Sequence, residues 1–387
     1  MLAAEARRVD DIKRIEFSRR LGSAYADRLV PADSRRGRGA VSNASGRYEA
    51  FAREAFDDGW ERDEAAEALK TEVMFERPRS IITRNTSPDI PFDRSVNPYR
   101  GCEHGCFYCF ARPSHAYLGL SAGLDFESKL TVKEGAAALL VKELAHLKYK
   151  PRTIALGVNT DAYQPIERQY RVTRSVLEAL ARAKHPVSIV TKSNLVLRDL
   201  DLLSDMASEG LAKVFISVTT LDRTVARRME PRAPTPERRL EAIEKLAAAG
   251  VPVGVMVAPV IPAVNDGEIE TILTRAHAAG AREAGYVTLR LPRELREMFR
   301  EWLATHFPDR LDRTLSLVRS MHGGKDYDSQ WGQRMAGSGP YAWMIGRRFE
   351  MAAQRLGFRD EPKPLRTDLF VRPAPQDERA PQQLSLF

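Results

Sequence analysis

The chain has 387 residues, 43% hydrophobic and 29% charged, with a formal net charge of +8; that is enough apolar material for a sizeable core and suggests two domains or one large barrel with additions. No apolar run approaches the ~18 to 20 residues that cross a bilayer. The start, MLAAEARRVDDIKRIEF, lacks a secretory apolar stretch and carries too many acids for a transit peptide, so a soluble, cytoplasmic protein with no membrane partner is expected.

Residues 1–92 read as an N-terminal extension, basic over 1–47, where the net charge is +5 and RRGRG occupies 35–39. Such a balance permits a polyanionic partner and equally suits a solvated, Arg-rich surface. From about residue 93, β-rich runs alternate with segments of helical Leu/Ala spacing. Strands are predicted at 94–99, 153–159, 187–191, 213–218, 252–258 and 285–291. Helices are predicted near 131–147, 168–184, 199–209, 235–249, 266–279 and 292–305. Thr131 with Glu134 fits a capping box, Thr235 followed by Pro236 fits a helix start, and Gly250 fits a left-handed stop.

Six βα units with near-continuous apolar strands imply an α/β fold with a helix-covered parallel sheet, either open and doubly wound or a partial barrel. In both, ligand-binding residues sit just past the strand C-termini. That rim comprises 159–167 (NTDAYQPIE), 191–193 (TKS), 217–222 (SVTTLD), 258–266 and 290–295, with the loop after the first strand joining it. Beyond the barrel residues 93–305, helices at 311–321 and 341–356 mark a helical C-terminal cap over 306–360. Residues 361–387 read as a flexible tail, proline-rich to 382.

The loop in question is GCEHGCFYCF, 101–110, which holds every cysteine of the chain as C-x3-C-x2-C: Cys102, Cys106 and Cys109. An odd, clustered set is no disulfide framework and points to reduced thiolates serving a metal. Three thiolates on a compact loop suit three irons of a [4Fe-4S] cluster, with the fourth left for another ligand. A Cys3His zinc site using His104 or His115 is the alternative, although structural zinc loops usually pair cysteines as C-x2-C.

This spacing, with Tyr108 before the last cysteine, resembles the radical S-adenosylmethionine (SAM) superfamily over about residues 93–300. The resemblance implies a partial (β/α)6 TIM-like barrel and a cluster whose open iron chelates SAM. A reductant such as flavodoxin or ferredoxin would supply the electron, and SAM cleavage would release a 5′-deoxyadenosyl radical. The TD at 160–161 and TKS at 191–193 resemble the spore photoproduct lyase-like branch, and the segments RGRGAVSN and SMHGGKDYDSQWGQRM resemble an uncharacterised bacterial subgroup of it. By that resemblance Thr160 or Asp161 would contact the amino or ribose end of SAM, and Lys192 its carboxylate. Ser217 would bond ribose and Tyr108 would pack on adenine. Photoproduct lyases carry a further cysteine shortly before the TD element as hydrogen donor; here that stretch reads LGVNTD, which puts the same relay in doubt and leaves Tyr163 as a substitute.

The chain closes with QLSLF, which resembles the peptide by which bacterial DNA polymerases and repair proteins dock on the sliding clamp. Leu384, Leu386 and Phe387 belong to that peptide, the last two filling an apolar pocket while Gln383 bonds nearby. Lys325, Tyr327, Trp331 and Arg334, with Arg290 and Arg293 on the rim, interleave cations and aromatics as unstacked bases require, and as an ordinary helical cap also would. The expected function is a radical SAM enzyme acting on DNA or another nucleic acid, in a repair-like or lyase reaction. The alternatives are a radical SAM enzyme modifying a peptide or metabolite, and a zinc-stabilised, non-catalytic clamp adaptor.

Overall fold

The computed structural model describes residues 29–49, 69–360 and 363–374. The basic start and all of Gln383, Leu384, Leu386 and Phe387 lie outside the described residues. Among the described residues ten strands form two sheets: β1 (Glu72–Glu76), β2 (Ile82–Arg84), β3 (Arg94–Val96), β4 (Tyr99–Arg100), β5 (Lys129–Lys133), β6 (Ile154–Leu156), β7 (Val187–Thr191), β8 (Ala212–Ser217), β9 (Val253–Val260) and β10 (Glu283–Thr288). The larger sheet runs β10-β9-β8-β7-β6-β3-β2, and the smaller β1-β5-β4. Every pair from β3 to β10 in the larger sheet is parallel, while β2 adds antiparallel to β3. The six expected strands thus stand side by side in chain order. A doubly wound sheet would reverse its order at a switch point, so the architecture is the partial barrel, with no closure between β10 and the first strand among the described residues.

Helices α1 (Ala136–Ala145), α2 (Val172–Arg182), α3 (Leu200–Ser208), α4 (Pro236–Ala248), α5 (Ile269–Ala278) and α6 (Leu295–His306) follow successive strands, and α7 (Leu311–Ser320) and α8 (Gly339–Leu356) complete the C-terminal part. No described helix is long and apolar enough to cross a membrane. Strand residues such as Ile154, Ile189 and Ile216 meet Leu177, Ile243 and Leu273 of the helices in one dry core. A second cluster packs α6 and α7 against Phe107 and Tyr108 of the cysteine loop. There Phe107 stacks on Trp302 of α6 with ring centroids 3.8 Å apart, so α6 clamps the cysteine loop.

Three expectations need correction. Thr131 caps no helix: it lies in β5, opposite Met74 of β1 and Arg100 of β4, and α1 starts only after the left-handed Gly135. The pattern LTVK alternates as a strand does, and β1 supplied the pairing that a local reading could not see. The helix expected over 168–184 breaks at Arg171, whose φ is 52°. The N-terminal extension contributes β1 and β2 and wraps the cysteine loop. Finally, the start of the expected flexible tail is docked: the N–H groups of Arg366 and Val371 donate to Gly210 and Ala183 at 3.0 and 2.9 Å. Thr235 does cap α4, accepting from the Arg238 N–H.

Candidate functional site

The cysteine loop leaves the first barrel strand and is fixed by groups distant in sequence. The Cys102 N–H donates to the Phe126 carbonyl at 2.9 Å. Buried Gln164 brackets the loop, accepting from the Glu103 N–H at 2.9 Å and donating to the Gly101 carbonyl at 3.1 Å. Arg112, fully buried, donates to the Cys106 carbonyl at 2.8 Å and to the Ala122 and Gly123 carbonyls. Its charge is met by Glu127, also fully buried, in a close ion pair. Glu127 in turn accepts from the Gly39 and Ala40 N–H groups, each at 2.8 Å, while Arg38 donates to its carbonyl at 2.7 Å. The GRGA stretch is therefore a clasp over the loop. A Cβ at Gly39 would lie 1.7 Å from the Gly105 carbonyl oxygen, and Gly105 itself has φ +70°, so both glycines are required for backbone to lie on backbone.

On the rim past β6, Asp161 holds the neighbouring turn together. One carboxylate oxygen accepts from the Thr191 hydroxyl at 2.7 Å and the Tyr163 N–H at 2.9 Å. The other accepts from the Lys192 N–H at 2.8 Å and lies 3.3 Å from His104 Nδ1. Burial alone would raise this carboxyl; His104, the Lys192 N–H and the Thr191 hydroxyl outweigh it and hold the group at about 2. Thr160 is likewise committed, its hydroxyl donating to the Tyr99 carbonyl at 3.0 Å. Thr160 and Asp161, one or the other of which the resemblance sets against SAM, are thus also used by the protein to shape the rim.

Opposite them a buried network centres on Glu230. Its carboxylate accepts from the Tyr108 hydroxyl, from the Thr219 hydroxyl at 2.6 Å and from the Arg239 guanidinium. Burial pushes its pKa up, but Arg239 and Lys192 with the two hydroxyls pull it down to about 2. Arg239 also donates to the Ser217 carbonyl at 3.1 Å, fixing the end of β8. Lys192 lies with its ammonium 5.7 Å from the Tyr108 ring centroid and has no ion-pair or hydrogen-bond partner for that ammonium among the described residues. Burial opposes its charge, and Cys106 and Glu230 nearby more than restore it. The Ser217 hydroxyl is also unbonded among the described residues. Lys192 and Ser217 thus keep free polar groups on the rim, and Tyr108 is 8% exposed with its hydroxyl bonded to Glu230.

Tyr163 is not a rim residue. It sits fully buried in the main core, its hydroxyl without a hydrogen-bond partner among the described residues and the Arg198 guanidinium 6.0 Å from its ring. Arg334 is taken up by an ion pair to Asp89 and a hydrogen bond to Ser87, and Tyr327 packs on the second core; Trp331 remains 60% exposed. Glu127, Gln164, Glu230 and Arg239 were not singled out from the sequence. Gln164 lay inside a flagged rim stretch, while the others act through partners nine or more positions away.

The donors fit an iron-sulfur cluster. Cys102 and Cys106 are buried and free, and Cys109 is partly exposed. Burial, with the other thiols nearby, pushes Cys102 well up, and burial pushes Cys106 to about 12, so these sulfurs suit charge only when a cation compensates. Among the described residues no three Cys, His, Asp or Glu close around a single ion.

Residues 96–276 match the family described as the radical SAM superfamily. An uncharacterized protein of Mycobacterium tuberculosis is 40% identical over 232 residues, covering 59% of this chain and 68% of the relative. An uncharacterized protein of Methanocaldococcus jannaschii is 31% identical over 173 residues, covering 45% and 62%. Among solved structures, a spore photoproduct lyase variant is similar with TM-score 0.51 at 17% identity, over 73% of this chain and 79% of that one. Another variant, solved with bound AdoMet and dinucleoside spore photoproduct, gives TM-score 0.51 at 16% identity over 78% and 85%. At such identities the likeness is one of fold.

Proposed function

Because the chain belongs to the radical SAM superfamily of enzymes, we propose that Cys102, Cys106 and Cys109 hold a [4Fe-4S] cluster, that SAM binds on the adjoining rim, and that the substrate is a nucleic acid, with a repair-like reaction on DNA as the preferred case. The chemistry such a cluster would supply is one-electron reduction of the SAM sulfonium, giving a carbon radical that would take hydrogen from the substrate. The protein's own residues do the rest. Lys192 offers an unpaired ammonium for the SAM carboxylate, and Ser217 a free hydroxyl for its ribose. Glu230, Arg239 and Thr219 hold Tyr108, and Asp161 sets the turn that presents Lys192. Phe107 and Trp302 keep water from the loop's inner face.

The observation that carries this reading is the meeting, at one sheet edge, of three thiols with an unpaired lysine held over Tyr108. The nucleic-acid part is supported by the net charge of +8 and by the fold shared with an enzyme solved with a dinucleoside photoproduct. It is further supported by a cleft of about 630 Å³ lined by Arg36, Arg38, Lys70 and Arg232 with Glu103 and Thr71. The QLSLF peptide at 383–387 would bring the enzyme to DNA through the sliding clamp. Anaerobically reconstituted protein, reduced chemically or by flavodoxin or ferredoxin, is to be assayed for SAM cleavage and for products from lesion-bearing oligonucleotides. SAM cleavage with no DNA or RNA product would end the nucleic-acid part and leave a peptide or metabolite substrate, and protein without iron would end the whole reading.

A further inference from the structure

Immediately after the cysteine loop the protein leaves aromatic surface in water. Tyr48 is 58% exposed and Tyr117 66%, yet their rings stack on each other, centroids 5.5 Å apart at 29°. The Arg47 guanidinium lies 5.3 Å from the first ring and 5.9 Å from the second. It is held by an ion pair with Glu294 and by the Pro113 carbonyl at 3.3 Å. Glu294 belongs to the rim loop after β10, where Arg290 sets its guanidinium 4.7 Å from the ring of Phe110. Phe110 is 42% exposed and is the residue next to Cys109. Arg290 Nε is buried without an acceptor, and Arg290 has no ion pair among the described residues. Two aromatic–arginine pairs, joined through the same two loops, therefore run outward from the cysteine loop along one ridge.

Soluble proteins seldom keep contiguous apolar surface uncovered without a use for it. Protein interfaces also favour Tyr and Arg, but here two rings are already stacked with a cation beside them both, the arrangement that a further planar ring extends. Stacking faces beside guanidiniums suit unstacked bases and their phosphates irrespective of sequence. We propose that this ridge is a base-stacking platform. The open faces of Tyr48, Tyr117 and Phe110 take bases of a single-stranded or locally opened nucleic acid, and Arg290 meets a flanking phosphate. The proposal rests on the nucleic-acid reading above and names where that substrate lies.

The test titrates the holoprotein against a labelled single-stranded oligonucleotide and its duplex by fluorescence anisotropy at several salt concentrations. Wild type is expected to prefer the single strand. Tyr48→Ala with Tyr117→Ala should weaken binding roughly tenfold or more, as the loss of stacked bases predicts, with the salt slope unchanged; Tyr48→Phe with Tyr117→Phe should bind as wild type. Arg290→Gln should instead lower the salt slope by about one. Thermal melts confirm that the variants fold. Binding by wild type that survives the double alanine change, is lost equally in the double phenylalanine change, or favours duplex sinks the platform and leaves the nucleic-acid reading standing. Failure of wild type to bind any nucleic acid overturns both.

Discussion

Replacing Glu127 by Ala should loosen the clasp that holds the cysteine loop. The change strips buried Arg112 of its carboxylate and leaves the Gly39 and Ala40 N–H groups, now 2.8 Å from that carboxylate, without an acceptor. Breaking a buried ion pair from one side costs about 3–5 kcal/mol. The orphaned N–H groups push towards the upper end, without full additivity because they share one acceptor. Against a total stability of about 5–15 kcal/mol, the variant becomes marginal. Glu127→Gln keeps an oxygen for one donor and should lose about 2 kcal/mol, the scale of a hydrogen bond to a charged group. Urea unfolding of the reduced apoprotein gives the first readout, and iron per protein after anaerobic reconstitution the second. Both should fall in the order wild type, Gln, Ala. Glu134→Ala, which removes the exposed partner of Arg77, should move neither. A Glu127→Ala protein with the urea midpoint and iron content of wild type would refute the claim that this ion pair pins the loop.

Cys106→Ala should lose the brown absorbance and most of the iron, read by spectrum and metal count after reconstitution. Lys192→Met should weaken SAM binding to the holoprotein roughly tenfold or more in equilibrium dialysis, since it removes an unpaired cation facing a carboxylate; unchanged affinity would move the carboxylate elsewhere. Gly39→Ala should lower the melting temperature, because its Cβ would lie 1.7 Å from the Gly105 oxygen and overpacking of this kind costs about 1–3 kcal/mol. Burial lowers His185 from 6.5 to about 4, the Pro186 carbonyl opposing and Arg94 assisting, so only the unfolded chain takes up a proton between those values. Stability should therefore hold above pH 6.5 and fall as pH drops, by about 2 kcal/mol at pH 5, and His185→Phe should flatten that slope in pH-dependent urea titrations.

The barrel was legible because each strand is a short apolar run followed by helical spacing, a pattern local enough to read without partners. The edge additions were not. β1 at Glu72–Glu76 has mostly exposed residues and is a strand only because β5 lies beside it, and Thr131 was misread for the same reason. In the site, the three cysteines, Lys192 and Ser217 were visible from spacing and position past a strand end. Glu127, Glu230 and Arg239 were not, since a buried charge announces itself only through its partner, and Arg38 reaches Glu127 across 89 positions. Tyr163 shows the converse: two residues from a rim aspartate, it points into the core. Sequence position places a backbone on the rim and leaves the side chain's direction undetermined.

That distinction sorts the rim chemically. A polar group inside a protein is either spent, its hydrogen bonds made by the fold, or unspent and available to a ligand, and burial makes an unspent one costly to keep. Asp161, Thr160 and Glu230 are spent, each bonded within the protein. The Lys192 ammonium and the Ser217 hydroxyl are unspent, and each is presented by a spent neighbour: the Asp161 carboxylate bonds the Lys192 N–H, and Arg239, anchored on Glu230, bonds the Ser217 carbonyl. An anion and a hydroxyl-bearing ring are what such a pair would receive, and both belong to one small molecule if they are met side by side. The unspent Arg290 Nε beside exposed Phe110 follows the same logic on the outer side of the loop, where the group to be received is larger and carries its charge on a backbone.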